Sequence, residues 1–170
     1  MRNPFEYGGV VSGEAFCNRE QETGDLVRAM ENGEKLFVFS ERRYGKTSLV
    51  RAALGKLPRK RCVCAYVDLW PTDSEATFVT TAAKAITESM STSVGKVLET
   101  AKKFFGSLSP RVTMDEEGKP ALTFGLGRHA RVGPALDEVL ETPARIAAKG
   151  GPRVVVVFDE FQQILEYGND

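Results

Sequence analysis

Little in these 170 residues points to a specialised environment. Long apolar runs are missing: no stretch approaches the roughly 20 residues that span a bilayer, and the N-terminus lacks the apolar core of a signal peptide. An excess of either charge is missing too, with 23 Lys and Arg against 23 Asp and Glu. Composition therefore demands neither nucleic acid nor an anionic membrane as partner. Three cysteines, Cys17, Cys62 and Cys64, make no disulfide framework. Cys62 and Cys64 share one face of an apolar run, which suits small buried side chains better than metal ligands. The one histidine, His129, lies among Arg128 and Arg131 with no companion for metal or acid–base work. Arg59-Lys60-Arg61 follows Pro58 and reads as a solvated loop. The expectation is a single cytoplasmic domain, long enough to bury its own core.

What is present alternates between helical and strand patterns. Residues 1–17 are Gly-rich and aperiodic, an N-terminal arm. Asn18 is a candidate N-cap, with Gln21 at the capping-box position. The helix that follows turns Leu26, Val27 and Met30 inward and ends at Asn32-Gly33. Leu36-Phe37-Val38-Phe39 reads as a short strand, and Thr47–Leu57 as a helix burying Leu49, Val50, Ala53 and Leu57 until Pro58 stops it. Cys62–Leu69 is a continuous apolar run, as in a strand buried on both faces of a parallel sheet. Ser74 caps a helix to about Met90, with Phe78, Ala82, Ile86 and Met90 in register. Residues 90–131 hold a second helical segment, which Pro110 closes, and a hairpin, with alternation at Val112 and Met114, and at Leu122, Phe124 and Leu126, around a Gly-containing loop. Pro134–Lys149 is helical, with Pro143 expected to kink or split it. Val154-Val155-Val156-Val157-Phe158 is the most strand-like run, and Phe161–Tyr167 begins another helix. Strands alternating with helices predict an α/β sandwich with a mostly parallel sheet.

Chemistry concentrates at two places. Ser40-Glu41-Arg42-Arg43-Tyr44-Gly45-Lys46-Thr47-Ser48 lies between the expected strand and helix, the context of a phosphate-binding P-loop. Backbone amides at a helix N-terminus, aided by its dipole, would seat the phosphates. Lys46 would reach the β- and γ-phosphates, and the Thr47 hydroxyl would ligate Mg²⁺. Ser40 stands where the motif has its first glycine. It keeps the backbone N–H and is strained only if the turn needs positive φ. Arg42 and Arg43 suit phosphate or partner contact and a solvated loop about equally. The second place is Asp159-Glu160, at the carboxyl end of an apolar strand, where ligands bind in open α/β sheets. There Asp159 can hold the metal's hydration shell and Glu160 can activate water. Asp68 ends its own strand, where a turn or cap role is favoured.

Asn3-Pro4-Phe5, Gly13-Glu14, Phe16-Cys17-Asn18-Arg19-Glu20, Arg42–Leu49, Tyr66-Val67-Asp68-Leu69 and Val157–Gln162 together closely resemble the archaeal-type ATPases, AAA+-type proteins similar to STAND ATPases and origin-recognition initiators. The resemblance covers essentially the whole chain. It implies the ASCE/AAA+ form of the P-loop NTPase three-layer sandwich, here incomplete and carrying a β-hairpin insertion, and an ATP-binding, Mg²⁺-dependent ATPase. By the same likeness Val10, Val11 and Arg19 are candidate adenosine contacts. It also implies later elements: a strand with a polar sensor, a fifth strand, a helical lid and often a winged helix. One further strand would lie between the P-loop strand and the Asp-Glu strand. None follows Asp170, so a truncated product or fragment is expected, with hydrolysis belonging to the full-length form. A nucleotide-binding switch or scaffold without hydrolysis is the alternative. Partners beyond ATP, an unknown protein among them, are left open.

Overall fold

The computed structural model describes residues 19–39, 41, 44–91, 93–115 and 117–168. They fall into two compact units that divide between Arg59 and Lys60.

The first unit is a helix pair. Helix α1 (Glu20–Asn32) begins after Arg19 with no side-chain cap, and Asn18 lies outside the described residues. It ends at Gly33, whose φ of 78° is left-handed. There Gly33 N–H donates to Met30 O at 3.2 Å and Glu34 N–H to Ala29 O at 3.0 Å, satisfying carbonyls that a helix end otherwise orphans. Helix α2 (Lys46–Lys56) packs against α1. Leu49, Ala53 and Leu57 are buried as their spacing predicts, and Val50 is half-buried. Leu26, Val27 and Met30 are half-buried, while Thr23 and Ala29 are the buried positions of α1.

One expected element does not form. Residues 34–39 adopt no regular secondary structure, and Phe37 and Phe39 are 76% and 86% exposed. The reason is that a strand is defined by its ladder. Apolar composition alone cannot make one where no neighbouring strand offers backbone donors and acceptors.

The second unit holds the sheet. Strand β1 (Cys62–Asp68) and strand β2 (Leu108–Met114) are separated by helices α3 (Glu75–Met90) and α4 (Val94–Phe104). Strand β3 (Pro120–Leu126), helix α5 (Val132–Ala148), strand β4 (Arg153–Asp159) and a 3-10 helix (Phe161–Glu166) follow. β1 and β4 pair in parallel, and β2 and β3 form an antiparallel hairpin. These are two separate two-stranded sheets among the described residues, so the unit is mixed α/β with a small parallel sheet. The hairpin expected around residue 118 is present, with Gly118 at φ 74° in its turn.

Strand parity sorts the side chains. Ala65, Val67 and Leu69 join Val154, Val156 and Phe158 on the face packed by α3 and α5. Phe78, Val79, Ala82, Ala83 and Ile86 of α3, with Ala135, Val139 and Ile146 of α5, complete that core. Phe158 stacks on Phe78 with ring centroids 5.3 Å apart. Ser74 caps α3 as expected, its hydroxyl accepting from Thr77 N–H at 3.3 Å while Thr77 Oγ1 accepts from Ser74 N–H at 3.0 Å. Three readings change. Pro143 sits inside α5 without splitting it. Pro110, expected to close a segment, lies within β2. The start of the last helix is a 3-10 turn, entered from a left-handed Glu160.

Ile86 is 1% exposed at the centre of the core. Ile86→Ala should cost about 2–5 kcal/mol in urea unfolding followed by circular dichroism, through lost transfer energy plus a cavity. A loss under about 1 kcal/mol would contradict this packing.

Candidate functional site

The expected site residues are positioned by two different units. In the first, Gly45 has φ 68° and ψ 29° and forms the N-cap of α2, so Lys46, Thr47 and Ser48 make the helix's first turn. A left-handed residue there costs a side-chain-bearing amino acid about 1–2 kcal/mol, which glycine avoids. Leu49 N–H donates to Gly45 O at 2.9 Å, closing the first helical ring. Lys46 and Thr47 are half-buried, Ser48 is buried and Tyr44 is exposed. Ser40, Arg42, Arg43, Val10 and Val11 lie outside the described residues.

Arg19 serves this loop. Its Nη1 donates to the Tyr44 carbonyl at 2.8 Å, immediately before Gly45. Nε and Nη2 grip the Glu22 carboxylate as a fork, the latter at 3.1 Å. That hydrogen bonding holds Glu22 below the usual carboxylate range and raises Arg19 above its ordinary value. The guanidinium thus spends three of its five N–H donors on Glu22 and the loop backbone.

In the second unit, the parallel register sets Asp68 opposite Asp159 at the carboxyl ends of β1 and β4. Asp68 Oδ1 accepts from Trp70 N–H at 3.0 Å, the turn role favoured for it. Asp159 is held from two sides: Oδ1 accepts from Glu160 N–H at 3.0 Å and Oδ2 from the Tyr66 hydroxyl. An ionised carboxylate has about four acceptor positions, so two such donors orient it and remain compatible with a metal's water. Glu160 is exposed and left-handed at φ 54°, the one non-glycine residue with positive φ among those described. Such strain costs about 1–3 kcal/mol and concentrates at functional turns. Its carboxylate accepts from Gln162 Nε2, and its carbonyl from Gln163 N–H at 2.9 Å.

The sequence reading assigned Tyr66 no role, because its reach to Asp159 depends on a register between residues 93 apart. Among the described residues no group of three or more His, Cys, Asp or Glu is gathered as a metal centre, and no helix is long and apolar enough to cross a membrane. No protein-family model, curated protein or solved structure matches this chain.

Two glycines of the first unit should respond to alanine with opposite signs. Gly45→Ala should destabilise by about 1–2 kcal/mol through its left-handed backbone. Gly24→Ala, inside α1 with open space around the added methyl, should stabilise by about 0.5–1 kcal/mol. Urea unfolding of both variants checks this, and equal shifts would contradict the turn geometry.

Proposed function

We propose that this chain is the ATP-binding P-loop region of an AAA+/STAND-like ATPase of the three-layer ASCE sandwich type, with Mg²⁺-dependent hydrolysis of ATP. The observation that carries the reading is the left-handed Gly45 placed directly before a helix that opens with Lys46-Thr47-Ser48. A helix N-terminus points backbone N–H groups and the positive end of its dipole at whatever lies before it, which is a seat for phosphate. Lys46 adds a full positive charge there, and the Arg19 bond to Tyr44 O holds the preceding backbone in place.

Support also comes from the parallel neighbours β1 and β4, which bring Asp159 and Glu160 to a carboxyl edge. In this reading Thr47 and Asp159 are each candidate metal ligands, and Glu160 is the group that would orient and deprotonate water. The donor chemistry fits magnesium, which takes one or two protein oxygens and fills its remaining positions with water and phosphate. When bound, the ion would neutralise phosphate charge. A second reading, a nucleotide-binding switch without hydrolysis, is favoured by the Gln162 amide that engages the Glu160 carboxylate.

A fluorescent-ATP titration with parallel phosphate-release assays tests both. Lys46→Ala should weaken binding at least about tenfold, since a charge-assisted contact is worth about 1.5–3 kcal/mol. Unchanged affinity would contradict the P-loop reading. Release that disappears in Glu160→Gln while binding persists supports hydrolysis; binding without release in the unaltered chain supports the switch.

A further inference from the structure

We infer that Tyr66 is a positioning residue for the metal-binding carboxylate, its hydroxyl fixing Asp159 so that one oxygen stays aimed for magnesium; this rests on the nucleotide reading above. Tyr66 lies opposite Val157 in the parallel ladder, so Asp159 is two residues further along the neighbouring strand on the same face. That diagonal is within reach of a long aromatic side chain. Its hydroxyl donates to Asp159 Oδ2.

The other side of the turn is pinned as well. Leu69 N–H donates to Asp159 O at 3.2 Å, fixing the backbone that carries the carboxylate. Beyond the left-handed Glu160, the hydroxyl of Tyr167 hydrogen-bonds Thr72 Oγ1, tying the end of the 3-10 helix to the loop after β1. Glu160 N–H occupies Oδ1 from the same residue pair's backbone. The Tyr66 bond runs from a side chain to the carboxylate itself. Removing it leaves the backbone of the turn and the Glu160 N–H bond to Oδ1 in place and takes away the hydroxyl donor that orients Oδ2. The loss should therefore fall on metal affinity, as it does when outer-shell partners of metal ligands are removed.

Tyr66→Phe keeps the ring and deletes only the donor. Magnesium titrations in the presence of a fluorescent ATP analogue, on the unaltered chain, Tyr66→Phe, Asp159→Asn and the double variant, read the effect, with melting temperatures taken on the same samples. Tyr66→Phe should raise the magnesium concentration for half-saturation about tenfold. In the Asp159→Asn background it should add no further shift, because the two groups act as one unit. Equal magnesium midpoints for Tyr66→Phe and the unaltered chain overturn the inference, also when the melting temperature falls, as do fully additive shifts. Nucleotide binding that is indifferent to magnesium overturns it while leaving the P-loop reading standing. No nucleotide binding at all by the unaltered chain overturns both.

Discussion

The parallel pairing of β1 with β4 is the constraint on which the second unit depends. It joins segments some ninety residues apart, and it fixes parity for everything around them. With Ala65 beside Val156 and Val67 beside Phe158, one face becomes a continuous apolar floor for α3 and α5. A slip by one residue would turn every one of those side chains over. The same register sends Tyr66 and Asp159 to the opposite face and leaves Asp159 and Glu160 at the strand's carboxyl end. Core and chemistry are thus set by one ladder.

In the first unit the corresponding constraint is a single backbone angle. Gly45 must be left-handed for α2 to begin at Lys46, and the Arg19 bond to the Tyr44 carbonyl holds the approach to that turn. Arg19 was a candidate adenosine contact by resemblance. In the structure it stabilises the loop and forks onto Glu22. The approach to the α2 turn is therefore held by a contact between residues 25 apart, just ahead of each helix.

The sequence was legible where a pattern is local. Four consecutive valines, the Ser74 cap, the alternation around Gly118 and the Asn32-Gly33 stop each became the element they signal, because propensity, period and cap agree there. It was illegible where the outcome depends on a partner. Leu36–Phe39 has strand composition and no ladder. Pro110 is a helix breaker that β2 accommodates at a position opposite Phe124. Tyr66 was visible as part of a motif, but its bond to Asp159 needs the β1–β4 register, which no local window contains. The left-handed Glu160 is likewise invisible in composition, since nothing about glutamate advertises positive φ.

In the proposed reading, the first turn of α2 seats a nucleotide's phosphates, and Asp159 and Glu160 respond to the accompanying metal. Amide-resolved nuclear magnetic resonance of the chain titrated with ATP, first without and then with magnesium, tests it most directly. The amides of Gly45, Lys46, Thr47 and Ser48 should shift together on adding ATP, and those of Asp159 and Glu160 should shift on adding magnesium. Saturating ATP that leaves the Gly45–Ser48 amides unmoved would contradict it.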